Sequence, residues 1–256
     1  MKKILLYTLV IFLTGVMISS CSDDKFGESI FDTTPRERTE FDNWLLQNYV
    51  KEYNIDFKYR MEDIEADMSY NLIPAEVEKS KKLAKIIKYL WLESYDEIFD
   101  KTGKNKDFMR TYAPKVILRV GSSAINACSS TEVLGSAEAG IKVILYKVNA
   151  IDPTDVEMLN EYYFETMHHE FAHILHQKKN YPTEYNQISA ADYSSTGWQN
   201  RTEQQARKLG FVTPYAGMEP QEDFVEVIAN YLVKPDGFWE NMLANAGTEG
   251  ATKIQT

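Results

Sequence analysis

All four histidines of this 256-residue chain, His168, His169, His173 and His176, fall inside one nine-residue window. On a helix, His169 and His173 leave the same face one turn apart. Their ring nitrogens can then meet at a point about 2.0–2.1 Å from each, the bond length zinc prefers. Glu170 leaves the adjacent face, toward the coordination position the imidazoles do not fill. A carboxylate there can take a proton from a water that the metal has acidified toward a pKa of about 7. His169-Glu170-Phe171-Ala172-His173 thus has the residue types and spacing of zinc-peptidase chemistry, and Phe171, Ala172, Ile174 and Leu175 make the segment too apolar for a solvated surface helix.

A catalytic zinc needs a third protein ligand. His176 shares the face of the pair but lies about 10 Å along a straight helix axis from His169, too far for one ion to hold all three. It is read as lining the cleft or supporting a ligand, and His168, which points away from the pair, as a helix-flank ring. No glycine follows at the spacing of the H-E-x-x-H-x-x-G-x-x-H pattern. Some fifty residues on, Glu222-Asp223-Phe224-Val225-Glu226 carries inward-facing apolar residues that predict a second buried helix. Glu222 and Glu226, four apart, share one of its faces. One of the two could bind the metal while the other accepts the N–H of a ligating imidazole.

These groups need a scaffold. Helical spacing of apolar residues predicts helices around 41–50 and 83–91, a long helix over 155–177 begun by Pro153-Thr154, and closing helices at 224–232 and 238–243. Residues 55–59, 116–120 and 141–145 read as strands. The expected fold class is α+β, with a small mixed sheet packed on the histidine helix and a mostly helical C-terminal part. Residues 39–256 are expected to form one domain, without repeats.

Before it, Lys2-Lys3, an apolar run over 4–18 and Ser19-Ser20-Cys21 have the order of a secretory signal, which predicts a cleavable segment 1–20. The polar stretch 21–38, with Thr33-Thr34-Pro35, reads as a linker. Net charge is −10, and loss of Lys2 and Lys3 with the signal would make it −12, which argues against a nucleic-acid partner. Cys21 and Cys128 are the two cysteines. With Cys21 modified, no internal disulfide is expected, and Cys128 reads as a small packing residue.

Two resemblances sharpen these expectations. Ser19-Ser20-Cys21 resembles the bacterial lipobox, and Ser22-Asp23-Asp24 looks like the export tag of Bacteroides-type surface lipoproteins; this implies lipidation at Cys21, an outer-membrane anchor and exposure at the cell surface. Residues 215–226, from Tyr215 through Glu222 to Glu226, resemble the stretch that follows H-E-x-x-H in the anthrax lethal factor-like branch of gluzincins. There a tyrosine precedes the ligand glutamate by seven residues and a second glutamate follows it by four. Carried over, Glu222 is the third zinc ligand, Tyr215 donates to the developing oxyanion, and Glu226 supports a ligand imidazole.

More closely, the histidine segment 169–177, the lipoprotein start and the region 135–145 look like the zinc-binding metallopeptidase lipoproteins of Bacteroidetes. The resemblance covers most of the chain after about residue 50. It implies a zincin-like fold, one Zn²⁺, a peptide or protein substrate, and a setting near SusC/SusD-like uptake complexes. The mechanism it implies has Glu170 as general base, then proton donor to the leaving amine. An extended substrate can pair with a sheet edge beside such a cleft, and strand 141–145 is the edge expected there. The competing expectation is a non-catalytic, zinc-containing surface lipoprotein serving glycan or peptide uptake. Intact Glu170 and Tyr215 argue against it, because binding alone needs neither a base nor an oxyanion donor.

Overall fold

Thr39 opens the first helix through a reciprocal cap: its hydroxyl accepts from the Asp42 backbone N–H at 3.1 Å, and the Asp42 carboxylate accepts from the Thr39 N–H at 2.8 Å. A computed structural model describes residues 34 and 36–256 except 66, 68, 104–106, 126–131, 134 and 139–140, with backbone alone at 63, 133 and 135–138. The expected signal 1–20, Cys21, most of the linker 21–38 and Cys128 lie outside the described residues. Thr39–Thr256 form one unit.

In that unit α1 runs through Glu40–Leu45, a π-helical turn Leu46–Val50 and Lys51–Tyr53, and leads to β1, Asp56–Lys58. Next comes α2, built of Val77–Ile87, a π-helical turn Lys88–Leu92 and Glu93–Thr102, where Gly103 at φ 64 ends the helix. A short α3, Phe108–Tyr112, precedes β2, Val116–Arg119. Strands β3, Ala124–Ile125, and β4, Glu132–Val133, pair with each other. Strands β5, Gly135–Glu138, and β6, Lys142–Leu145, complete the main sheet, whose order is β1-β2-β6-β5. β1, β2 and β6 are parallel, and β5 runs antiparallel to β6.

The expectation of a sheet edge at 141–145 is corrected by this topology: β6 is flanked on both sides by β2 and β5, and the described edge strands are β1 and β5. The physical reason is visible in β6 itself. Val143, Ile144 and Leu145 are consecutive and all buried, as in a strand covered on both faces rather than one half-open to solvent.

The long helix α4 passes through Val156–Leu159, a π-helical turn Asn160–Phe164 and Glu165–Lys178, capped by Asp155, whose carboxylate accepts from Met158 N–H at 2.9 Å. Leu159, Tyr163, Met167, Phe171 and Ile174 recur every three or four residues along it and enter the same core as Ile117, Val143 and Leu145 of the sheet. That stripe fixes the rotation of α4. The opposite side, carrying His169 and His173, is left to face another helix.

That helix is α7, Pro220–Val233, which follows α5, Tyr185–Ile188, and α6, Glu203–Leu209. Pro220 fits the first turn because its missing N–H would have no helical partner there. The final helix α8, Phe238–Gln255, runs beyond the expected end at 243. It consists of two helical stretches joined across a kink at Gly247, whose φ of 72 and ψ of 171 are not helical. At Gly250 a side chain would come within 2.2 Å of the Arg207 carbonyl, so the glycine lets α8 lie directly on α6.

Candidate metal centre

His169 and His173 stand one turn apart on α4, and Glu222 and Glu226 one turn apart on α7, so the helix pair brings four polar side chains to one seam. Glu222 Oε2 lies 3.2 Å from His169 Nε2 and 3.4 Å from His173 Nε2. The other nitrogen of each ring is engaged elsewhere. His169 Nδ1 is 2.8 Å from Glu226 Oε1, which can only accept, and His173 Nδ1 is 3.0 Å from His176 Nε2. Glu226 thereby holds a proton on His169 Nδ1 and turns Nε2 toward the Glu222 carboxylate. That facing pair takes a cation between its atoms, a proton on Nε2 or a metal ion in its place.

The spacing fits the ion the chemistry suggests. Four ligands at about 2.0–2.1 Å in a tetrahedron stand roughly 3.3–3.4 Å apart, close to the separations from Glu222 to the two rings. Two imidazoles and one carboxylate are a borderline-soft donor set suited to zinc. Glu170 belongs to the same group: its carboxylate and the two rings each offer an atom within 4.8 Å of the others.

Electrostatics point the same way. Burial works against a charged His169, but Glu222 and Glu226 outweigh it and lift the ring to about 10. Burial would raise Glu222, yet the two imidazoles hold it well below the usual carboxylate range. Glu170, 8% exposed, is raised chiefly by burial; Glu222 and Glu226 add to the shift and the two rings oppose it. The seam stabilises positive charge while keeping one carboxyl easy to protonate.

Tyr215 sits in the 3-10 turn Tyr215–Gly217, its ring centroid 6.0 Å from that of His169 and 4.9 Å from that of Trp198. Its hydroxyl is raised by burial and by the negative charge of Glu222. The structure therefore brings His169, Glu170, His173, Tyr215, Glu222 and Glu226 together, with His176 behind His173. His168 stands apart, against Tyr95.

Sequence reasoning passed over Thr213. Its hydroxyl donates to Glu226 Oε2 at 2.5 Å and accepts from the Ala216 N–H at 3.1 Å, tying the Tyr215 turn to the carboxylate that orients His169. No spacing rule marks such a threonine. Asp223, to which sequence assigned no role, is buried and accepts from Tyr193 OH at 2.8 Å.

An α+β unit with a preformed cation seam between two helices defines the class, a metal-binding protein built on a helix pair beside a small sheet. Residues 34–256 match the model of the family described as "Putative zinc-binding metallo-peptidase", and the chain belongs to that family. It is also similar to a solved structure described as "a putative zinc-binding metallo-peptidase from Bacteroides caccae". The two are 51% identical with a TM-score of 0.71, covering 89% of this chain and 84% of that one. Among proteins with curated functions, none matches.

Proposed function

We propose that the protein is a zincin-like peptidase of gluzincin type that hydrolyses peptide bonds with one zinc ion held by His169, His173 and Glu222. The observation that carries this reading is the meeting of Glu222 Oε2 with both Nε2 atoms at 3.2 and 3.4 Å beside the buried Glu170. Zinc, when bound, supplies a Lewis acid that makes water a nucleophile near neutral pH. Glu170 takes the proton from the attacking water, and its raised proton affinity suits it to hold that proton and pass it to the leaving amine. Tyr215, whose hydroxyl stays protonated, donates to the oxygen that gains charge at the carbonyl carbon. Glu226 and His176 fix the two ligand rings, and the outer edge of β5 offers backbone groups to an extended substrate.

The sequence supports a setting as well. Lys2-Lys3, the apolar run 4–18 and Ser19-Ser20-Cys21 support export and lipidation at Cys21, and Ser22-Asp23-Asp24 supports display on the outer-membrane surface. The family resemblance supports a place beside a SusC/SusD-like uptake complex, with peptide or protein as substrate. The test is zinc content together with cleavage of a peptide library, with and without chelator, by the wild type and Glu170→Gln. Stoichiometric zinc and chelator-sensitive cleavage lost in the variant are expected. Zinc without cleavage under any condition would leave a binding protein instead.

A further inference from the structure

Trp198 is a large aromatic side chain placed outside the core. It lies in the 3-10 turn Trp198–Asn200, half-buried, and enters none of the hydrophobic clusters of the described residues. Its one ring contact among them is Tyr215, edge to face, with centroids 4.9 Å apart and planes at 74°. Tyr215 in turn meets the His169 ring at 6.0 Å and 34°. The phenol therefore touches one ring of the metal seam and one indole that the core does not use.

The backbone around the indole is joined to the turn that carries Tyr215. The Trp198 carbonyl accepts from the Arg201 N–H at 3.0 Å, and the Ser194 N–H donates to the Gly217 carbonyl at 2.8 Å. Arg201 closes the joint. Its Nη2 donates to the Asp192 carbonyl at 2.5 Å, and Nη1 lies so close to Gly217 that a Cβ there would stand 2.4 Å from it. Only glycine lets the guanidinium pass. From Thr213 the same turn is tied to Glu226. These bonds fix the backbone of the turn, but the phenol still has two side-chain torsions to settle. Ring contacts settle them.

The demand on that ring is strict. A donor to a developing oxyanion acts at about 2.7–3.1 Å, and misplacement by about 1 Å can cost about 10²-fold in rate. An edge-to-face aromatic contact shifts a conformational equilibrium by about 2- to 13-fold, enough to decide between two orientations of one ring. We infer that Trp198 is a positioning residue, whose indole holds the Tyr215 hydroxyl where the oxyanion forms and acts through that phenol alone. The inference rests on the reading of Tyr215 as the oxyanion donor.

The test is a double-mutant cycle on the zinc-loaded full chain, with kcat and KM measured for Trp198→Ala, Trp198→Phe, Tyr215→Phe and Trp198→Ala/Tyr215→Phe, joined to a crystal structure of Trp198→Ala. Trp198→Ala is expected to lower kcat about tenfold with KM and zinc affinity unchanged. Trp198→Phe, which keeps a ring edge, should recover most of the loss. In the Tyr215→Phe background Trp198→Ala should cost nothing further. The crystal structure should show the Tyr215 ring turned away from His169 with the Thr213–Glu226 contact intact. Equal losses in both backgrounds, a raised KM with kcat intact, or a Tyr215 ring unmoved in Trp198→Ala would overturn the inference while leaving the peptidase reading standing. Unaltered kcat in Tyr215→Phe would remove the donor role and the inference with it. A wild type that cleaves nothing would end the peptidase reading, and the position of the ring in Trp198→Ala would still decide whether Trp198 holds it.

Discussion

His169 Nδ1 donates to Glu226 Oε1 across 2.8 Å, and this single contact decides which nitrogen of the ring faces Glu222. Removing it frees the ring to rotate and to change tautomer, and an orienting partner of this kind typically contributes 10- to 100-fold in metal affinity. Glu226→Ala is therefore expected to weaken zinc binding by roughly that factor in a competition titration with a chromophoric chelator. Thr213→Val should weaken it less, and Thr213→Ser, which keeps the hydroxyl, should restore it.

In the proposed mechanism Glu170 is the base and not a ligand, so its amide variant separates binding from chemistry. Glu170→Gln is expected to retain one zinc per chain while peptide cleavage falls by about 10²- to 10⁴-fold. Metal analysis and turnover on the same sample check both halves.

Tyr215→Phe removes one hydroxyl while preserving the ring packed on Trp198. A donor that acts only on the developing oxyanion should change kcat by about 10²- to 10³-fold with little change in KM. An increase in KM with kcat unchanged would instead give Tyr215 a role in holding the ground-state substrate.

Phe171 is 1% exposed and meets Trp91, Tyr95 and Phe108 edge-on, locking α4 onto α2 and α3. Phe171→Ala is expected to lower stability by about 3–5 kcal/mol in urea unfolding, as cavity-forming core truncations do.

Asp223 gives the fold a pH dependence of definite sign. Its burial raises the carboxyl from 3.8 to about 7, with Tyr193 opposing the shift. Between those values the folded chain holds a proton that the unfolded chain has lost, so this group makes stability fall as pH rises through that window and level off above it. In metal-free protein, Asp223→Asn should therefore gain stability relative to wild type at pH 8, by on the order of a few kcal/mol, and lose the advantage near pH 4. Urea unfolding at the two pH values measures it.

The helix pair was legible because both its signals are local. His169 and His173 declare one face of α4, and Glu222 and Glu226 one face of α7, through a four-residue spacing that any helix enforces. What sequence could not supply is the order of strands. Lys142–Leu145 carries an apolar run compatible with any buried strand, and only the pairing of β5 on its far side shows it to be internal. Thr213 was equally hidden, because its role comes from a turn that folds back onto α7.

Zinc-edge anomalous diffraction from crystals of the metal-loaded protein tests the central claim most directly. One anomalous peak is predicted, bonded to His169 Nε2, His173 Nε2 and a Glu222 oxygen at about 2.0–2.2 Å. A peak elsewhere, or one coordinated by the histidines with Glu222 turned away and no other side chain in its place, would contradict the account.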